Sequence, residues 1–568
     1  MIETDVVVIG SGAAGLTAAI TARQLGLEVL VVEKTALFGG TTAYSGGAPW
    51  IPCNHVMKQI GLDDSRAAAE TYLRAVLGEA YRDDLVASYL DHAPEMLAFM
   101  ERHSEVRFKP FALPDYESDL PGAARSRSLL TQAFDGRLLG HRLADLRMPL
   151  PQLMLFGSMQ IEGADIHPMR HALKTWAGFR HTARVMRRFV ADRLRYGRGT
   201  RIVNGNALAA RLFHSAIQAG VTLWKNTPAL ELTMQDGRVT GVEIEHEGRR
   251  LQVVARRGVL LATGGYGASE AMRRKHIPFA EHHHSLQPEG NVGDGVRLGV
   301  AVGGLHDPAH AGDCIWTPVS VLRKPDGGIV KYPHIFIDRA MPGCIAVGPD
   351  GRRFVNEGGS YQTFVGTMHR RGITTAHLIA NRDFLRRYGL GLARPAPFSA
   401  RALIEAGYLI EAPTLAQLAG RLNIDPQELE ATVRRFNEGA ARGEDPEFGK
   451  GADAHSRFRG DQTHAPNPGV APIGDGPYYA LALHPGDLST VGGLETDAEA
   501  RVLTPQGTPI EGLYAAGLDM NSIMRGRYPG GGSSIGPAMT FGYIAARQMA
   551  QARPATPPAE ARAQTIGA

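Results

Sequence analysis

An α/β fold with a parallel sheet, interrupted by an inserted α+β domain, is what this sequence predicts, and three observations carry it. Residues 5–9 (DVVVI) form a continuous apolar, β-branched run that leads directly into Gly10-Ser11-Gly12-Ala13-Ala14-Gly15. Two further apolar runs ending in glycine, residues 258–265 (GVLLATGG) and 512–519 (GLYAAGLD), lie far downstream, the second near the C-terminus. The intervening residues 298–465 mix strand and helix signals without repeating the glycine pattern. At 568 residues the chain exceeds the size at which single cores stop growing, so two or more domains are expected.

The first run reads as a strand buried on both faces of a parallel sheet. GxGxxG then opens a helical stretch that ends near Leu25. Its glycines permit a sharp turn and close backbone approach to a pyrophosphate, which sits at the positive end of the helix. A second apolar run, 28–32, ends in Glu33 at roughly the 20-residue spacing of a ribose-binding carboxylate, with Lys34 beside it. Residues 39–47 (GGTTAYSGG) follow with small residues and hydroxyls, and Gly40, Thr41, Thr42, Ser45, Gly46 and Gly47 join the cofactor candidates.

The motif alone leaves NAD and FAD open. The two downstream runs resemble strands of the glutathione-reductase-like flavoproteins, where one returns to the adenosine side and the other delivers the chain to the isoalloxazine. This resemblance decides for FAD, held non-covalently in a Rossmann domain, and adds Thr263, Gly264, Gly265, Gly517 and Asp519. Residues 219–260 are β-rich, with turn signals at Asp236-Gly237 and Glu247-Gly248, and contribute Ala229. Asp294, in GNVGDGVRLG, is expected in another FAD-contacting turn.

The expected organisation is an FAD domain whose first part spans 1–297, a capping domain at 298–465, the returning part at 466–552 and a disordered tail at 553–568. The cap contains an amphipathic pattern at 415–436, with Asp425-Pro426 at a helix start. Residues 142–205 form an insertion. From Arg170 to Arg201 there are ten Lys or Arg against one acid, Asp192. Leu173, Trp176, Phe179, Ala183, Met186, Val190 and Leu194 recur there at spacings of three and four. Such a helix can lie on an anionic membrane surface. Alternatively it packs its apolar face on the protein body and leaves a basic face solvated; packing is the arrangement expected.

A net charge of +4 is too weak and dispersed to argue for nucleic acid. Cys53, Cys314 and Cys344 have neither disulfide nor zinc spacing, so no metal is expected, and no CxxCH haem site occurs. No signal peptide or membrane span is read, which points to the cytoplasm with peripheral membrane contact left open.

Further segments carry a resemblance to the fumarate reductase and succinate dehydrogenase flavoprotein superfamily. They are GSGAAG at 10–15, GGTTAYSGG at 39–47, GPDGRRFVNE at 348–357 and TVGGLETD at 490–497. RYPGGGSSIGPAMTFGY at 527–543 narrows it to the 3-ketosteroid Δ1-dehydrogenases. That resemblance implies 1,2-desaturation of a 3-ketosteroid, with a proton lost from C2, hydride passed from C1 to flavin N5, and an external quinone or carrier as electron acceptor. It assigns Tyr528 and the Gly532 amide to the ketone oxygen, where charge develops, Tyr361 as the base and Tyr116 as its helper. Ser533, Ser534 and Ile535 would present helix N-terminal amides to the flavin. A fumarate-reductase-like enzyme or a Δ4-(5α)-ketosteroid dehydrogenase is the alternative, and a non-catalytic flavin sensor is an alternative of another class. Leu518-Asp519, where an Asn often follows the Gly, and the basic insertion depart from the family pattern.

Overall fold

The computed structural model describes residues 2–307, 309, 312–335 and 338–554. Strand β1 (Ile2–Ile9) runs into helix α1 (Ala13–Gln24), and strand β2 (Val29–Val32) returns beside β1. Pairing is parallel, Val6 opposite Val29 and Ile9 opposite Val32. Every residue of β2 is buried, as a strand covered on both faces requires. Strand β3 (Arg249–Leu261) lies parallel on the other side of β1, and Pro509–Ala515 lies parallel beside β3, with Leu513 opposite Val259. The C-terminal strand thus joins a sheet begun at the N-terminus. Thr222–Trp224 extends the far edge beyond β2, and Ala229–Gln235 pairs with Arg238–His246. The following helix Ile535–Gln551 packs on α1 so closely that a Cβ on Gly542 would strike the Ala14 carbonyl oxygen.

A second sheet of seven strands stands apart from the first. Its centre is β5 (Tyr478–Thr490), flanked by β4 (Cys314–Arg323) and Ala376–Asn381, both antiparallel to it. The expected boundary at 465 therefore falls before a strand that lies at the middle of the cap sheet. His284–Ser285, from the expected first part, also pairs with β5. An apolar run announces a strand without naming its partner, because pairing is non-local. The expected tail lies, from 555 on, outside the described residues.

The insertion forms helices Gly163–Arg170 and Trp176–Tyr196. The expected packing of its apolar face is not found. Gly178, Phe189 and Asp192 are the buried residues of Trp176–Tyr196, while Trp176, Phe179, Val190 and Leu194 are exposed. Two local constraints set this roll. Gly178 sits against the carbonyls of Pro168 and His171, where a Cβ would not fit. Asp192 accepts hydrogen bonds from Thr200 N (3.1 Å) and Oγ1 (2.7 Å).

Candidate active site

A cavity of about 1650 Å³ is lined by the nucleotide loops, by a group of tyrosines that includes Tyr116, Tyr361 and Tyr528, and by residues of the basic insertion. At the nucleotide wall, α1 begins without a side-chain cap and with no acid in its first turn. Apart from Ala13 N–H, its leading amides are thus available to an anion. Thr42 Oγ1 accepts from Ala13 N (2.9 Å), tying the 39–47 loop to the helix start. Glu33 takes a hydrogen bond from Ser11 Oγ (2.6 Å) on one oxygen and from Thr35 N and Oγ1 (2.9 and 2.8 Å) on the other. This clamp holds the carboxylate at the cavity wall, where a ribose hydroxyl can donate to it.

Most of the expected cofactor residues line this cavity: Gly10, Ser11, Gly12, Ala13, Ala14, Glu33, Lys34, Gly40, Thr41, Thr42, Ser45, Gly46, Ala229, Thr263, Gly264, Asp294, Gly517, Ser534 and Ile535. Lys34 Nζ and Asp294 Oδ2 pair there at 2.5 Å. Five others are not among its lining residues, each for a local reason. Gly15 packs against the Gly10 carbonyl and Gly47 against the Asn204 backbone. Gly265 faces Thr490 and Leu518. Ser533 closes its own turn, donating to Gly530 O (2.6 Å) and accepting from Gly530 N (3.0 Å). Asp519 is fully buried and accepts from Thr263 N, Thr263 Oγ1 (2.9 Å) and Gly265 N (3.2 Å). Burial pushes its carboxyl up to about 6, against the pull of these donors. Asp519 shapes the 263–265 loop from behind.

Asn291 and Arg147 are among the lining residues that escape sequence reading. Asn291 donates to Thr41 Oγ1 (2.8 Å) and Gly264 O (2.7 Å), linking three cofactor loops. It stands three residues before Asp294, so the same turn signal covers it. Arg147 donates from Nη2 to Thr35 Oγ1 (2.8 Å), while its buried Nε has no partner among the described residues. Nothing local in the insertion marks it.

Tyr116, Tyr361 and Tyr528 converge from separate segments, their ring centroids 5.6–5.7 Å apart. The Tyr116 and Tyr361 hydroxyls are 3.3 Å apart. Tyr361 begins the helix Tyr361–Arg370, capped by Ser360 Oγ, which accepts from Gln362 N at 3.1 Å. The preceding RFVNE stretch is anchored by Arg353, buried between Glu357 and Asp445 with bonds of 2.7–2.9 Å. Tyr116 N (2.9 Å) and Tyr72 Oη (2.6 Å) both donate to Pro529 O, which positions the turn carrying Tyr528. Gly532 has φ +98°, and a side chain there would collide with Ala48 O.

The two expected donors, Tyr528 and the Gly532 amide, lie on this one turn, where Gly532 N donates to Tyr528 Oη at 3.1 Å. The amide polarises a phenol that in turn can donate into the cavity. Burial, reinforced by its tyrosine neighbours, holds Tyr361 well above its usual 10, and burial pushes Tyr116 up to about 12 although Arg459 and Arg339 oppose it. Both are neutral phenols in this arrangement.

A model of the family described as FAD binding domain matches residues 5–535. The chain belongs to that family. The cradle fits the cofactor: the helix-start amides of α1 would hold a pyrophosphate, the clamped Glu33 carboxylate would accept from a ribose, and Arg147 Nε, without a partner among the described residues, would offer a donor to an anion. This flavoprotein is 42% identical to 4-oxocyclohex-2-ene-1-carboxylate 5-dehydrogenase of Sinomonas cyclohexanicum, over 97% of this chain and 94% of that one. It is 35% identical to 3-oxosteroid 1-dehydrogenase of Mycobacterium tuberculosis, over 96% and 98%. A crystal structure of 3-ketosteroid Δ1-dehydrogenase from Sterolibacterium denitrificans, in complex with 1,4-androstadiene-3,17-dione, superposes with a TM-score of 0.89 at 36% identity, covering 97% and 99% of the two chains. With these relatives, the protein is an FAD-dependent oxidoreductase acting on CH–CH bonds.

Proposed function

We propose that the protein desaturates the C1–C2 bond of a 3-ketosteroid. The observation that carries this reading is the meeting of Tyr116, Tyr361, Tyr528 and Gly532 on the wall of a large, mainly apolar cavity that also receives the nucleotide loops. Tyr528 Oη, polarised by Gly532 N–H, donates to the ketone oxygen as enolate charge develops. Tyr361, once it has released its own proton to solvent and stands as a phenolate held by donation from Tyr116 Oη at 3.3 Å, accepts the C2 proton. Bound FAD supplies the hydride acceptor for C1. The cofactor is held non-covalently, and an external quinone or electron carrier reoxidises it.

Leu113, Ile315, Ile335 and Leu488 give the tyrosine region an apolar lining suited to fused rings. A second substrate class is favoured by the 42% identical relative and by Arg459, a cationic residue among those lining the same cavity. It is a monocyclic ketone carrying a carboxylate. Mixing the anaerobic holoprotein with 4-androstene-3,17-dione or with 4-oxocyclohexanecarboxylate separates the two. Bleaching of the oxidised flavin band by the steroid is expected, and bleaching by the cyclohexane acid alone would move the substrate assignment. Failure of both would remove the ketone reading.

A further inference from the structure

The helix Trp176–Tyr196 leaves uncovered the surface that a soluble helix normally buries. Leu173, Trp176 and Leu194 are 89%, 74% and 83% exposed, and Phe179 and Val190 are half exposed between them. Trp176, Phe179, Val190 and Leu194 share one side of the helix, about a third of a turn from the edge that the protein body covers, and Leu173 stands in the turn before it. An exposed apolar stripe of this length marks an interaction site.

Its flanks are cationic. Lys174, Arg180, Arg184, Arg187, Arg193 and Arg195 are exposed, and none makes an ion pair among the described residues. The one acid of the segment, Asp192, is buried against Thr200. This face also adjoins the cavity, which Leu173, Lys174 and Met186 help to line. No helix among the described residues is long and apolar enough to cross a membrane.

We propose that this face rests on an anionic lipid surface, the stripe immersed at the headgroup boundary and the arginines on the phosphates. An aromatic and aliphatic arc beside a cationic arc on one helix is the arrangement that lies flat in a bilayer interface. Trp176, with its amphipathic ring at the outer edge, suits the headgroup level. The cationic arc selects negative lipid by charge complementarity. Docking in this way brings the cavity wall at Leu173 to the bilayer, so an apolar substrate enters from lipid without crossing water. That last consequence rests on the proposed steroid substrate; the docking does not.

The test uses the holoprotein and sedimentation with vesicles of phosphatidylglycerol and phosphatidylcholine, against phosphatidylcholine alone. Cosedimentation is expected with the anionic vesicles only and falls in high salt, which screens exposed charges. Replacing both Trp176→Glu and Leu194→Glu weakens binding about tenfold or more, as does Arg180→Gln with Arg184→Gln and Arg187→Gln. FAD content and flavin reduction by dissolved ketone stay unchanged in both variants, which shows that they fold. Absence of vesicle binding, or equal binding to neutral vesicles, overturns the proposal. So does a wild-type dimer, seen by light scattering, that Trp176→Glu splits while vesicles capture neither form; the stripe would then be a contact between copies. Loss of ketone-driven bleaching with vesicle binding intact would count against the substrate reading alone.

Discussion

Tyrosine is a poor base at neutral pH, and burial makes Tyr361 poorer still by holding its proton above the usual 10. In the proposed roles geometry compensates, with the acceptor 3.3 Å from a second phenol and the Tyr528 ring centroid 5.6 Å from its own. A base that must lose its proton before it works becomes more available as pH rises. The kcat/KM of the wild type is accordingly expected to climb about tenfold per pH unit from neutral into the alkaline range. On the proposed roles, Tyr528→Phe removes the donor to the ketone oxygen but leaves that base. Turnover then drops by about 10²–10³-fold with FAD retained and the alkaline rise preserved; a flat profile in the variant would place the titrating group on Tyr528 instead. Residue types and flanking motifs marked these tyrosines, because RFVNE and Tyr-Pro-Gly are contiguous in sequence. The hydrogen bond from Gly532 N to Tyr528 Oη was not legible, since it depends on the fold of a short turn in which Gly532 has φ +98°.

At the level of elements, the βαβ unit at the N-terminus is the most local part of the site and the most readable. Gly10 has φ +109°, and a Cβ there would strike the carbonyl oxygen of Ala262 at the end of β3. Gly10→Ala therefore separates β1 from β3 at the point where α1 presents its amides, and the purified variant is expected to lack the flavin absorption band. Retention of stoichiometric FAD would show that the turn tolerates the shift. The helix Trp176–Tyr196 gives the opposite lesson. Its periodicity defined which residues share a stripe, and it could not say which way the stripe faces. Gly178 against the 168–171 carbonyls and Asp192 against Thr200 decided that, and they rolled the apolar side outward. Asp519 is similar: its place at the end of Pro509–Ala515 was visible, while its direction, into the 263–265 loop, came from packing.

In the whole molecule the cofactor cavity draws on loops from both ends of the chain, Gly10 to Gly46 and Gly517 to Ile535, around an independent cap sheet. A ligand that binds only when these parts are assembled stabilises the assembly by mass action, by about 2.7 kcal/mol at a hundredfold excess over its Kd. The melting temperature of the protein is thus expected to rise with added FAD and to fall on stripping the cofactor; a melting curve indifferent to FAD would mean that the two ends hold together without it. By itself the sequence determined the features that are local in the chain: the nucleotide turn, the strands that return to it, the tyrosines beside their motifs and the basic amphipathic helix. The tertiary structure decided what depends on partners distant in sequence. It put Tyr478–Thr490 at the centre of the cap sheet, turned Asp519 and Ser533 away from the cavity, and exposed the stripe from Leu173 to Leu194. The physical reason is the same in each case. Covalent neighbours set periodicity and backbone freedom, whereas the direction a side chain faces is set by what packs against it.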